Sequence, residues 1–185
     1  ALKVGQPTTK LSLEDVLNVV RAPFNHKAKA LLYVPGTRER MIAEVIAWCK
    51  STPSKDSLGN VKARVRCHLA GAGMGKTVVS SRLLTIDRLA KNIVAHYFCL
   101  HNFKESSNPL NMLKSIAWQL CENSEFRPYK KLLDNPTVIN RIKSDEGKDL
   151  SKLFTMLFLD PLSKCKLNIK HRRVILIDAL DECDM

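Results

Sequence analysis

One eight-residue run carries the residue types best suited to chemistry: Ala70-Gly71-Ala72-Gly73-Met74-Gly75-Lys76-Thr77. A triphosphate carries several negative charges and needs many donors at short range. Glycines let a backbone curl so that successive N–H groups point inward as a nest. A helix beginning at Lys76 adds unpaired N–H groups and the positive end of its dipole. Lys76 is then placed to reach the β- and γ-phosphates, and the Thr77 hydroxyl to reach Mg2+. The strict phosphate-loop (Walker A) pattern is G-x-x-x-x-G-K-[ST], and Ala70 stands at its first glycine position. That departure matters only if the position needs a positive φ. The expected nucleotide shell is therefore Gly71, Ala72, Gly73, Met74, Gly75, Lys76 and Thr77, with Thr77 also on the metal.

The second run is Val174-Ile175-Leu176-Ile177-Asp178-Ala179-Leu180-Asp181-Glu182. Four aliphatics ending in an acid put a carboxylate at the carboxyl end of a buried strand, where open α/β sheets bind their ligands. Asp178 is expected to hold Mg2+, directly or through water, as a Walker B acid. Asp181 or Glu182 is expected to polarise an attacking water. Taken alone, this run reads equally well as a strand ending in a solvated acidic turn; the glycine run upstream tips the reading toward a metal.

Elements must hold these residues in place. Leu11 onward carries a helix signal, with Ser12 as cap, Glu14 and Asp15 in the first turn and Pro23 as terminator. Pro35-Gly36 is a turn, and Thr37 reads as the N-cap of a helix from Arg38 to about Lys50. Residues 51–62 read as a loop. Arg64 to Leu69 alternates in a strand-like way, a helix follows from Lys76 with Val79, Leu83, Ile86 and Ala90 on one face, and Ile93 to Leu100 is a second strand. Asn108 and Pro109 open a helix whose stripe is Met112, Leu113, Ile116, Ala117 and Leu120. Helix signals are weak around Tyr129 to Leu133. Helical spacing returns from Leu150 to Phe158 and is expected to stop at Pro161, and Val174 to Ile177 is the third strand. This alternation is the pattern of an α/β domain with a parallel sheet. The stretch from Lys76 to Asp178 is too long for a single crossover, so another strand must lie between them.

Composition narrows the classes. The chain has 185 residues, 45% hydrophobic and 26% charged, enough to bury a core. No stretch is long and apolar enough to span a membrane, and residues 1–10 lack the apolar region of a secretory signal. The six cysteines include no C-x-x-C pair, which argues against a disulfide framework or a zinc site and for reduced thiols in an intracellular, cytoplasmic protein. Cys99 and His101 could share one side of a strand, but two ligands do not make a metal site. The net charge of +12 raises the alternative of a nucleic-acid-binding module, with Lys62, Arg64, Arg66, Lys164, Lys166, Lys170, Arg172 and Arg173 as candidate patches. No basic run is interleaved with aromatics, which total only 6%, so solvated basic side chains are the plainer reading.

The phosphate loop together with Ile177-Asp178-Ala179-Leu180-Asp181-Glu182 resembles the NACHT class of STAND NTPases, signal-transduction ATPases of the additional-strand class. Their Walker B has a small residue after the Mg2+ aspartate and acids three and four positions on, as Ala179, Asp181 and Glu182 have here. Pro35-Gly36-Thr37-Arg38 with Trp48, His96-Tyr97-Phe98-Cys99, and Ser115-Ile116-Ala117-Trp118-Gln119-Leu120 are similar to segments of nephrocystin-like and ankyrin-repeat-associated NACHT proteins. The resemblance covers about residues 31–184. It implies a P-loop NTPase three-layer fold with a parallel sheet, incomplete in this chain, with 1–60 as a helical leader and 61–185 as the N-terminal part of the NTPase domain cut after Walker B. It also implies an ATP/ADP-dependent switch with slow hydrolysis, Mg-ATP as cofactor, nucleotide-dependent homo-oligomers, and protein partners through C-terminal regions such as repeats. Arg38, ahead of the loop, is either a nucleotide contact or a solvated first-turn residue. Other P-loop ATPases of the AAA type and a non-hydrolysing nucleotide-binding scaffold remain alternatives.

Overall fold

The computed structural model describes residues 11–17, 24–51, 65–71, 73–167 and 172–183. Expectations for Pro23, Lys62, Arg64, Ala72 and Lys170, and for most of the 51–62 loop, lie outside the described residues.

Among the described residues, three short or medium helices precede the glycine run: α1 (Leu13–Leu17), α2 (His26–Ala30) and α3 (Glu39–Lys50). α1 starts on a reciprocal cap. Asp15 N–H donates to Ser12 Oγ at 3.2 Å, and Ser12 N–H donates to Asp15 Oδ2 at 2.8 Å. α3 does not start as expected. Its N-cap is Arg38, in the left-handed region at φ 54°, while the Thr37 hydroxyl donates back to Val34 O at 2.6 Å. Thr37 thus closes the preceding turn, and that turn leaves Arg38 as the residue that must swing into the helix.

The segment expected as the first strand is a correction. Residues 65–70 have no regular structure, and Val65 and Leu69 are 77% and 94% exposed. A strand needs a neighbour for its N–H and C=O groups, and no described strand runs beside this one. The helix after the glycine run is also shorter than its apolar pattern suggests. α4 (Lys76–Leu84) ends at Thr85, whose hydroxyl donates to Arg82 O at 2.9 Å, and α5 (Asp87–Ala90) restarts after Ile86.

Among the described residues the sheet consists of two parallel strands, β1 (Ile93–Phe98) and β2 (Val174–Asp178), with Phe98 opposite Asp178. A core lies on each face. Ile42, Val45 and Cys49 of α3 join Val79 and Leu83 of α4 and Leu89 of α5, with Val174 and Leu176 packed against them. On the other face Ala95, Tyr97 and Cys99 meet the helix α7 (Pro109–Glu122), reached through α6 (Lys104–Ser107). α7 opens as its sequence predicts: Asn108 Oδ1 accepts from Leu110 N–H at 2.9 Å, Pro109 occupies the first turn, and the expected stripe is buried. Gln119 of α7 reaches the edge of β1 that faces away from β2. Its Oε1 accepts from His96 N–H at 3.1 Å and its Nε2 donates to His96 O at 2.8 Å, standing in for a neighbouring strand.

The weak signal around Tyr129 to Leu133 is a helix, α8 (Arg127–Leu133), and a second one that the sequence reading did not anticipate follows, α9 (Pro136–Lys143); they bury Tyr129, Leu133, Ile139 and Ile142. Beyond them, α10 (Leu150–Phe154) runs through a π-turn, Thr155–Leu159, into α11 (Asp160–Lys164). The helical run therefore does not stop at Pro161. Proline cannot donate to the carbonyl four residues back, which is that of Leu157. The Tyr129 hydroxyl donates to Leu157 O instead, at 2.8 Å in a buried setting. The wider π-turn also accommodates the ring.

Candidate functional site

The glycine run forms a turn at the start of α4. Gly73 and Gly75 both have φ 73°, which a side chain would make costly. Ala70 is not a positive-φ residue; among the described residues only Arg38 and Ala179 are, apart from glycines. An alanine at the first glycine position is therefore conformationally ordinary. Gly75 is the N-cap of α4 and supplies no side-chain cap hydrogen bond to its first N–H groups.

Two cations crowd this turn. The Lys76 ammonium donates to Ala70 O at 2.7 Å and lies 3.4 Å from Gly71 O, spanning the loop it follows. The Arg38 guanidinium donates to Met74 O. It sits so close to Gly75 that a Cβ there would come within 2.9 Å of an Arg38 nitrogen. Arg38 is thus a loop contact, carried there by its left-handed backbone at the start of α3. Between residues 32–38 and the glycine turn lies a cavity of about 470 Å3, lined by Leu32, Tyr33, Val34, Thr37, Arg38, Gly73, Gly75 and Val78.

Asp178 ends β2 and is buried. Its Oδ1 accepts from the Ser80 hydroxyl at 2.8 Å, so the carboxylate is tied to α4 one turn past Lys76 and Thr77. Sequence reasoning missed Ser80. Its spacing of three from Thr77 puts the two on neighbouring positions of one helix surface, and that was the available signal. After Asp178 the chain turns sharply through Ala179, φ 55° and ψ 44°, into the 3-10 turn Leu180–Glu182. A left-handed alanine costs roughly 1–2 kcal/mol, and such strain gathers at functional sites.

The two further acids separate. Asp181 is exposed, whereas Glu182 Oε2 accepts from His101 N–H at 3.1 Å and faces His101 Nδ1 at 3.1 Å. His101, three residues past the end of β1, is a second residue that sequence reasoning did not connect to the site. The structure therefore brings together Gly71, Gly73, Met74, Gly75, Lys76 and Thr77 on one turn, joins Asp178 to α4, and draws Glu182 toward the end of β1. Among the described residues no group of three or more His, Cys, Asp or Glu could hold a metal ion.

The expected basic patches are partly committed to internal contacts. Arg173 makes a two-pronged pair with Glu125 at 2.6 and 2.5 Å, Arg172 stacks over Trp48 at 4.5 Å, and Arg66 pairs with Glu44 at 2.9 Å. Among the described residues no helix is long and apolar enough to cross a membrane.

No curated protein and no solved structure matches the chain. The family model "Nephrocystin 3, N-terminal" matches residues 47–185, which contain the glycine turn, both strands and the acidic turn. That match spans well over half of the sequence, and the chain belongs to the nephrocystin 3 N-terminal family.

Proposed function

We propose that this chain binds ATP with Mg2+ at the Gly71–Thr77 turn and works as an ATP/ADP-dependent signalling switch with slow hydrolysis, in the manner of NACHT-class STAND proteins. One observation carries the reading: a helix start without a side-chain cap, a lysine ammonium spanning its own loop and a buried carboxylate all converge on α4. Each is a poor arrangement for stability alone and a good one for a bound anion with its cation.

The residues fit the ligand. A lysine ammonium has three donors, and Lys76 directs two toward loop carbonyls, which leaves one for a phosphate oxygen. A carboxylate offers about four lone-pair sites, and the Ser80 hydroxyl takes one at Asp178. Mg2+ keeps several waters and takes one or two protein oxygens beside phosphate. Asp178 and Thr77 are the residues to hold it, and the ion when bound neutralises charge on the phosphates. The 470 Å3 cavity suits base and ribose, with Leu32, Val34 and Val78 as apolar walls and Thr37 and Arg38 as polar ones. His101 engages only Oε2 of Glu182, which leaves Oε1 to polarise water.

This function goes with a P-loop NTPase three-layer fold of the additional-strand class, in which residues 65–69 become a strand once a neighbour supplies their ladder. A cytoplasmic location and nucleotide-dependent self-association belong to the same reading. The test is titration of a fluorescent ATP analogue with Mg2+ against wild type and Lys76→Ala. Losing a charged hydrogen bond worth about 1.5–3 kcal/mol weakens binding roughly ten- to a hundredfold. Equal affinity in the two proteins removes the site.

A further inference from the structure

The end of β1 and the acidic turn after β2 meet through sulfur. Cys99 follows directly on β1, and its N–H donates to Asp178 O at 3.1 Å. Cys183 closes the acidic turn, with its N–H on Leu180 O at 3.2 Å. The two Sγ atoms are 2.8 Å apart, and both cysteines are free thiols. The parallel register that sets Phe98 opposite Asp178 brings these distant positions together. A disulfide has its sulfurs about 2.05 Å apart, so closure from the observed distance needs a shift well below one ångström on each side.

The two thiols differ in access. Cys99 is 1% exposed, inside the core that α7 covers, whereas Cys183 is partly exposed. An oxidant therefore meets Cys183 first, and Cys99 waits behind it as the resolving thiol. Accessible thiols poised next to a second cysteine that can resolve them are where reversible oxidation occurs, and Cys183 stands so beside Cys99.

We propose that Cys99 and Cys183 form a redox-active pair whose disulfide fastens the turn bearing Asp181 and Glu182 to the end of β1. With hydrogen peroxide as oxidant, Cys183 Sγ attacks one peroxide oxygen, the O–O bond breaks, and a sulfenic acid forms as the first water leaves. Cys99 Sγ then attacks Cys183 Sγ, the S–O bond breaks, and the departing hydroxyl leaves with the Cys99 proton as a second water. Two thiols lose two electrons, and peroxide is reduced to two waters. A dithiol reductant reverses the bond by exchange. Glu182 precedes Cys183 and already accepts from His101 N–H, so the disulfide adds a covalent tie beside that contact and holds Glu182 against β1. What this does to bound nucleotide rests on the function proposed above; the thiol pair itself does not.

The full chain is oxidised with hydrogen peroxide, capped with N-ethylmaleimide, digested without reductant and mapped by mass spectrometry. The expected dominant product is the linked pair of peptides carrying Cys99 and Cys183, released by dithiothreitol. Amide hydrogen exchange over residues 179–183 is expected to slow by about tenfold or more in the oxidised protein, since local opening is then tethered. In Cys183→Ser, peroxide leaves Cys99 available to the capping reagent after unfolding and leaves exchange in the turn unchanged. The inference is overturned if Cys183 goes on to sulfinic acid with Cys99 still a thiol, if oxidation instead joins chains through the exposed Cys67, or if the link forms without slowing exchange. Lys76→Ala is expected to give the same linked peptides, so loss of the nucleotide reading leaves this test intact.

Discussion

Gly75 is where the demands on single residues are sharpest. Its φ of 73° belongs to the left-handed region, and the Arg38 guanidinium occupies the space a Cβ would take. The two penalties separate by mutation. Gly75→Ala is expected to cost about 1–2 kcal/mol from backbone strain alone, plus whatever is needed to displace Arg38. Adding Arg38→Ala returns only the steric part, so the urea midpoint of the double variant should stay below that of Arg38→Ala by the strain. A double variant as stable as Arg38→Ala would show that the backbone is not the source. Lys76, Thr77 and Asp178 stand out as candidates in the sequence because they lie in short contiguous runs. Ser80 and His101 are not, because each acquires its meaning only from a carboxylate delivered by another element.

At the scale of elements, the passage of a helix through Pro161 is the most informative case. Proline normally ends or kinks a helix by removing a donor. Here the phenolic hydroxyl of Tyr129, from α8, supplies the donor to Leu157 O. Tyr129→Phe keeps the ring and removes only that hydrogen bond, leaving a buried carbonyl without its partner. The expected loss is about 1–3 kcal/mol, read as a lower urea midpoint at unchanged slope. An unaltered midpoint would mean that the π-turn satisfies the carbonyl by itself. α7 was legible because its cap, its first-turn proline and its apolar stripe all lie within one helix. Residues 65–69 carry a strand pattern yet form no strand, because pairing depends on a neighbour that no local pattern specifies.

At the scale of the whole molecule, the described residues form two cores, one on each face of the two-stranded sheet, and the larger one buries groups that can ionise. Burial pushes the Cys121 thiol from its ordinary 9.0 up to about 12. Burial also pushes the Tyr129 hydroxyl upward. The folded chain thus keeps protons that the unfolded chain surrenders above about pH 9, and stability must fall as pH rises wherever the folded state binds more protons. This contribution is complete below pH 9 and is lost progressively toward pH 12. The urea midpoint is expected to be lower at about pH 10.5 than at about pH 8, and Cys121→Ala, less stable at both, should show a smaller drop between them. A midpoint that does not move between the two would remove burial of these groups as a stabilising constraint.

By itself, the sequence determined the glycine turn, the acid-terminated strand β2, the strand β1 and the capped helix α7. Caps, turns and hydrophobic periods act over a few neighbouring residues, so their physics is written locally. Only the tertiary structure decided that Asp178 answers to Ser80, that Glu182 answers to His101, that Arg38 leans on Gly75 and that Cys99 meets Cys183. Each of these contacts joins elements far apart in the chain, and each is created by the register of β1 on β2 or by the packing of α3 and α4 beside it. A hydrogen bond between distant residues exists only once a core has fixed both ends, and no run of neighbouring residues encodes where that core will set them.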